Sequence, residues 1–348
     1  LLFVSTPFAA SDLRAVRFAQ SADVVYFAHP SYSPCKLSRY SDNDWRWTTL
    51  TFMPSIAAPQ QPALQILDKR ADDDKPKNPS RTDYSYLVTA IDGETGEESS
   101  ASPAATIEAE ALNSVDYHIR ITWPAVSGAS EYRIYKKKTG VFGFIGRASK
   151  DDTITATTTL QYYDDKNIGA DTEDTPIEHK NPFEGSGNYP SQVFFHQQRL
   201  GFAATANRPI TFWLSRTGDF ESMASSVPPK DDDAIEVTLA ATQANRIVWL
   251  QPDRNALAFG TEGSEWTLQS SEGVVLTPST VSFQLQTTNG GEGTVSALSV
   301  GGGVLYVQRG SGAVREFAYN YSADKYLGQD LTILARHIIK DRDITAWA

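Results

Sequence analysis

The chain has 348 residues, enough for two or three domains that each bury a core. Its 31 Lys and Arg stand against 42 Asp and Glu, a net charge of −11, which excludes a protein that grips nucleic acid through phosphate contacts but leaves open a repulsive wall along which DNA slides. A single cysteine, Cys35, excludes an internal disulfide framework and a cysteine metal site, and no apolar run approaches the ~20 residues of a membrane helix.

Residues 1–4, LLFV, read as a strand. Residues 11–18 fit one helical turn or a short strand. Residues 21–29 then form a buried strand, closed by the turn signal PSYSP at residues 30–34. KLSR at 36–39 and WRWTTL at 45–50 alternate as strands, with Asp42-Asn43-Asp44 as a tight turn between them. The chain begins without Met or a signal-peptide pattern and ends in ITAWA, the apparent opening of another strand, so we expect a fragment of a longer protein cut at both ends.

After the Pro/Gln/Ala linker at residues 57–61 the character changes. Residues 68–77 are charged and loop-like. Residues 82–91 alternate with period 2 and place Tyr84, Tyr86, Val88 and Ala90 on one face. A turn follows at residues 92–99. Strands are expected at 118–123 and 131–135, separated by PAVSG, and the last strands within 146–163. TDYSYLVTAIDGETGEES resembles the F strand and F–G turn of a fibronectin type III module, with Tyr84 at the tyrosine-corner position. ITWPAVSGASEYRIYKK resembles its B and C strands, with Trp123 as core tryptophan faced by Tyr132 and Ile134. The F–G piece precedes the B–C piece, so the resemblance implies a permuted module; it implies no chemistry.

A second linker is expected over residues 172–188. Residues 197–220, QQRLGFAATANRPITFWLSRTGDF, then read as strand, polar turn, strand. The pattern recurs more loosely at 23–47, 255–269 and 303–319. With the insert excised these units lie roughly 45–60 residues apart, the spacing of a four-stranded propeller blade. Further strands are expected at 234–239, 246–250, 276–286, 294–300 and 304–319, and a helical turn at 241–245. Residues 326–340 carry mixed helix and strand signals. The fold expected is all-β: a partial β-propeller-like domain in residues 1–57 and 181–348, interrupted by a fibronectin type III/immunoglobulin-like β-sandwich in residues 58–180.

None of His29, His118, His179, His196 and His337 stands in a metal-binding spacing. The acidic triplets Asp72–Asp74 and Asp231–Asp233 offer clustered carboxylates for calcium, but neither has the EF-hand spacing and both read as solvated loops. Cys35 reads as a packed thiol. Glu262 and Glu265 beside Trp266, or Asp219 and Glu221 near Trp213, raise the paired carboxyls of a glycosidase, which any acidic β protein also offers. Trp45, Trp47, Trp213 and Trp266 would stack on sugars in an adhesin or pack a propeller core. The glycine turns at 290–293 and 301–303 lack a strand–GxGxxG–helix context, and Asn320-Tyr-Ser322 is a chance sequon. We therefore assign no catalytic, cofactor-binding or metal-binding residue, and no cofactor.

The phrases ADVVYFAHPSYSPCKLSRY, TFWLSRTGDF, DDDAIEVTLAATQANRIVWL, GSEWTLQ, LTPSTVSFQLQTTNGG and AVREFAYNYSADKYLGQDLTILARHI resemble virion structural proteins of podovirus-type phages and prophages, similar in role to the tail nozzle, or tail tubular protein B. The resemblance implies a non-enzymatic tail component, made in the bacterial cytoplasm and assembled into the virion tail. It implies a ring, six-fold by expectation, below the portal and adaptor, contacting fibres, with DNA only as passing cargo, no small-molecule substrate and no membrane insertion. A carbohydrate-binding propeller is the alternative reading, and a propeller glycosidase the next. About −7 of the net charge lies in residues 58–180, which favours solvent or partner contact for that charge over a DNA-facing lumen.

Overall fold

Four sheets repeat one design: four antiparallel strands, each hydrogen-bonded to the next in sequence. They appear in a computed structural model that describes residues 3–113, 116–153, 160–240, 245–253, 256–272, 275–339 and 344–347. The first sheet comprises β1 (Arg17–Ser21), β2 (Val24–His29), β3 (Tyr32–Ser41) and β4 (Asp44–Thr49). Seven strands follow that belong elsewhere: β5 (Ala63–Asp68), β6 (Arg81–Asp92), β7 (Ala105–Glu110), β8 (Tyr117–Pro124), β9 (Ala129–Lys138), β10 (Val141–Ser149) and β11 (Leu160–Asp165). The second meander is β12 (Gln192–His196), β13 (Arg199–Ala203), β14 (Thr211–Leu214) and β15 (Ile235–Thr238). The third is β16 (Ile247–Asp253), β17 (Ala256–Thr261), β18 (Glu265–Ser270) and β19 (Val281–Thr287). The fourth is β20 (Leu298–Val300), β21 (Gly303–Val307), β22 (Val314–Asn320) and β23 (Lys325–Asp330), followed by the single helical turn α1 (Arg336–Ile339).

The chain divides into two compact units: residues 1–52, 181–223 and 231–348, holding the four meanders, and residues 53–180 with 224–230. In the first unit the middle sheets are buried on both faces. Val193, Leu200, Phe202 and Trp213 turn toward Tyr26, Ala28 and Phe52 of the first sheet and its trailing segment. Their neighbours Phe194, Ala203, Phe212 and Leu214 turn the other way, toward Leu257, Phe259 and Leu268 of the third sheet. The third sheet repeats this, sending Val248, Trp249 and Ala258 against Val304, Tyr306 and Phe317 of the fourth. Two-sided burial explains why RLGFA and ALAFG are unbroken apolar runs, not alternating ones. The one charge in RLGFA, Arg199, is 1% exposed and donates to the carbonyls of Ser215 at 2.8 Å, Asp233 at 2.5 Å and Asp231 at 2.7 Å. A buried guanidinium thus clamps the backbone of the second acidic triplet, satisfying its donors with carbonyl oxygens.

The second unit has two sheets facing one core. One runs β10-β9-β6-β7 and the other β11-β8-β5. Trp123 is fully buried between them and meets Tyr132 edge-on, ring centroids 5.4 Å apart, among Tyr86, Val88, Ala90, Ile119, Ile121 and Ile134. The other face of β6 is also covered. Thr89 and Tyr135 donate to Glu98, which is paired with Arg133, and Arg133 also grips Asp174.

Several local expectations change. Phe3 and Val4 are not in a strand, and residues 1–2 lie outside the described residues. Residues 9–15 make hydrogen-bonded turns, Asp12 N–H to Ala9 O and Ala15 N–H to Asp12 O. The turn after β2 is confined to residues 30–31, and Pro34 sits inside β3, where a register shift between β2 and β3 accommodates a residue without an N–H. The first half of the expected second linker is tied down by Asp174 and by His179, 2.8 Å from the Glu98 carbonyl. The helical turn expected at 241–245 falls largely on residues 241–244, outside the described residues.

Candidate functional site

A cavity of about 810 Å³ opens where the first strands of the meanders approach one another. Arg17 of β1, Gln192 of β12, Ile247 and Val248 of β16 and Val307 of β21 supply its wall, so all four meanders contribute. The segments leading into those strands add Arg14, Arg246 and Glu292–Thr294. The first strands of successive meanders touch one another, which places residues distant in sequence around one opening.

Positive charge dominates that wall. Arg17 Nη1 donates to the carbonyls of Arg14 at 2.8 Å and Val16 at 3.1 Å, and its Nη2 donates to the Gly293 carbonyl at 2.9 Å. Burial lowers its pKa. Arg246 approaches the same glycine: its Nη2 lies 3.8 Å from where a Gly293 side chain would begin. Arg246 also lies 3.7 Å from Glu262, a carboxylate it shares with Arg309 at 3.4 Å. The one carboxylate in the wall, Glu292, accepts from the Gly293 N–H at 3.0 Å.

Residues singled out in the sequence lie elsewhere. Glu265 is fully buried and accepts from Thr287 and from the Asn289 N–H at 3.1 Å, which ties β18 to β19 and its following turn. Glu221 pairs with Lys36, and Asp219 Oδ1 accepts from the Glu221 N–H at 3.4 Å. None of Asp219, Glu221, Glu262 and Glu265 lines the cavity, so the opposed carboxyls that glycoside hydrolysis needs are not assembled there. Trp213 is 2% exposed in the core between the first two meanders, and Trp47 packs on Phe27 at 4.9 Å and on Phe8 at 5.6 Å. Trp266 donates to Ser264 Oγ at 2.7 Å, and Trp45 has Arg39 over its ring. They do not form one platform.

The remaining candidates are structural in their contacts. Cys35 is buried and its thiol pKa is pushed up to about 12, which leaves it protonated and unreactive. His29 packs at a tilt against Phe8 and Tyr32, His118 lies 3.8 Å from Asp164, and His196 is buried with its pKa lowered to about 4. Asp72–Asp74 form an exposed 3-10 turn with Lys75 on Asp72. Among the described residues no three His, Cys, Asp or Glu side chains are placed to hold a metal ion, and no helix is long and apolar enough to cross a membrane.

No curated protein matches the chain. Among solved structures it is similar to the computationally designed Ika8 protein, with 10% identity and a TM-score of 0.25 over 90% of this chain and 72% of that one. A second is an exo-1,5-alpha-L-arabinanase from a bovine ruminal metagenomic library, with 8% identity and a TM-score of 0.23 over 90% of this chain and 96% of that one. Scores this low carry no argument about fold or activity. The sequence of the second, third and fourth meanders is more informative: residues 183–342 match the bacteriophage nozzle protein family, which supports a nozzle-like structural role in a phage tail.

Proposed function

We propose that the protein is a non-enzymatic component of a short-tailed phage or prophage tail and forms part of the nozzle through which DNA passes. The family match over residues 183–342 carries the reading. The four meanders are blades of a propeller-like domain, supported by two-sided burial of the middle sheets and by first strands that lie side by side. The insert is a fibronectin type III-like sandwich with its F–G hairpin moved between the A and B strands. Sheet orders β11-β8-β5 and β10-β9-β6-β7 support this, as E-B-A against C′-C-F-G. Residues 1–57 and 181–348 are the propeller-like part and 58–180 the insert.

Subunits form a ring, for which six-fold order is our expectation, and contact adaptor and fibre proteins. Apolar side chains left exposed on the outer meanders, such as Phe18 at 68% and Val300 at 51%, and Leu334 at 91% in the turn after β23, support protein contact there. Electron microscopy of the full-length protein should show rings or short tubes. A monomer that binds glycans on an array would replace this reading with an adhesin. Hydrolysis of a chromogenic glycoside, abolished by Glu262→Gln or Asp219→Asn, would replace it with an enzyme.

A further inference from the structure

The cavity between the meanders is a basic hollow in an acidic protein. The chain carries a net charge of −11, yet the cavity wall holds three arginines, Arg14, Arg17 and Arg246, against one carboxylate, Glu292. Such a reversal of sign has a cost. Arg17 and Arg246 both approach Gly293, and like charges brought to one point repel more strongly in a partly desolvated hollow than in water. Among the described residues neither Arg14 nor Arg17 forms an ion pair; the hydrogen bonds of Arg17 go to the carbonyls of Arg14, Val16 and Gly293. Carbonyl oxygens satisfy its donors but leave its charge uncompensated.

These contacts also fix the guanidinium in place. Arg17 joins the turn before β1 to the loop before β20, so the first and fourth meanders share it. Arg246 stands immediately before β16, and its partner Glu262 lies beyond the end of β17. Two guanidinia from different sheets thus lie near one backbone point, Arg17 fixed by its three carbonyls before a ligand arrives and Arg246 exposed beside it. Planar guanidinium groups suit oxyanions, which accept two parallel N–H bonds from each fork. The volume, about 810 Å³, exceeds what one simple oxyanion fills and lies within the range of sites for nucleotide-sized ligands. Gln192 and Gln308 add polar side chains to the wall, although Gln192 Nε2 is engaged with the Val248 carbonyl at 3.2 Å and Gln308 Nε2 with that of Asn289 at 3.2 Å.

We propose that this cavity is a binding site for a small ligand bearing two or more oxyanion groups, with Arg17 and Arg246 as anchors and Arg14 at the rim. The shared chemistry is the multiply charged oxyanion, and phosphate and carboxylate are its two possible sources. The proposal does not depend on the tail assignment.

The test is calorimetric titration of the full chain with inorganic pyrophosphate and, in a second arm, with citrate, in 0.15 M NaCl. Saturable one-to-one binding of at least one probe is expected, with a rise in melting temperature at saturation. Pyrophosphate alone would assign the phosphate source and citrate alone the carboxylate source. Arg246→Ala should weaken binding at least tenfold. This side chain is exposed, so the fold tolerates its loss, whereas Arg17 bridges two sheets and its replacement risks unfolding. Arg14→Ala should weaken binding a few-fold. Arg208→Ala, which removes a surface partner of Glu236 outside the cavity, should leave binding unchanged. Absence of binding by both probes at 10 mM, or affinity indifferent to Arg246→Ala and Arg14→Ala, would overturn the proposal.

Discussion

His196 ends β12 opposite Arg199, is 6% exposed, and its Nε2 meets no hydrogen-bond partner among the described residues. Burial favours the neutral ring and lowers its pKa from 6.5 to about 4. The unfolded chain therefore binds a proton that the folded chain refuses between those values. Above pH 6.5 the group leaves stability unchanged; as pH falls from 6.5 to about 4 stability drops, and below that the loss levels off. A shift of this size corresponds to roughly 3 kcal/mol. Urea unfolding of the protein and of His196→Leu at several pH values should show this extra loss in the parent alone; parallel curves would refute it. The next two residues have a different cost. Gln197 and Gln198 both have positive φ, 45° and 59°, in the two-residue turn that joins β12 to β13. Primed turns of this kind favour glycine at the second position. Gln197 is tied to the Leu276 N–H at 2.7 Å, so Gln198 is the position to change. Gln198→Gly should stabilise by about 0.5–1 kcal/mol in the same assay, while Gln198→Ala should give no gain.

Within each middle meander, an aromatic ring on the first strand lies over a glycine on the second. Phe194 faces Gly201 and Trp249 faces Gly260 in register. A Cβ on either glycine would occupy the space of the ring itself. Neither glycine has positive φ, so the requirement is steric. Gly260→Ala should cost about 1–3 kcal/mol by overpacking, and Gly201→Ala a similar amount. Gly169→Ala, where a Cβ would meet nothing within 4 Å, should be neutral; equal melting temperatures for all three variants would dismiss the ring-over-glycine account. The same two-sided burial decided what the sequence revealed. Strands such as RLGFA and ALAFG stood out because both their faces need apolar residues. The edge strands β5 and β7 escaped notice: ALQILD is mostly half-exposed, and ATIEAE, rich in Ala and Glu, carries helix-forming residues. Arg199 hid inside an apolar run because its partners are backbone carbonyls, which sequence does not distinguish. The basic cavity was invisible for a related reason. Arg14 and Arg17 lie more than 200 residues from Arg246, and only the sheet arrangement brings them together. One signal was present: Arg17 opens β1 and Arg246 immediately precedes β16, so aligning the meanders by their first strands places a basic residue at corresponding points.

At the scale of the whole molecule, the chain leaves the meander unit and returns to it within one aromatic cluster. Phe52 is the last residue before the excursion, and Phe183 lies just after it. Their rings are 5.3 Å apart, and both meet Phe202 of β13, at 5.7 Å and 5.1 Å. All three are nearly inaccessible, in a core completed by Tyr26, Leu200 and Trp213. This core is formed by the residues that flank the insert, so the folded meander unit itself holds the two ends together. The insert then acts as a loop whose closure the core already enforces, and its length adds only slowly to the entropic cost. Its own core, around Trp123 and Tyr132, contains none of the rings of the meander core. Replacing residues 54–181 by a short Gly/Ser linker should therefore leave a cooperatively folding protein. The loop 224–230 loses partners in such a deletion, since Glu178 pairs with Ser225 and Thr175 Oγ1 accepts from the Val227 N–H at 3.1 Å, so local loosening there is expected. The measurement is urea unfolding followed by tryptophan fluorescence, because Trp213 and Trp249 remain in the shortened chain and report on two of its inter-sheet cores. A single transition that keeps the acid sensitivity of His196 is the expected result. Gradual unfolding, or loss of that pH dependence, would mean that the meander core needs the insert to form.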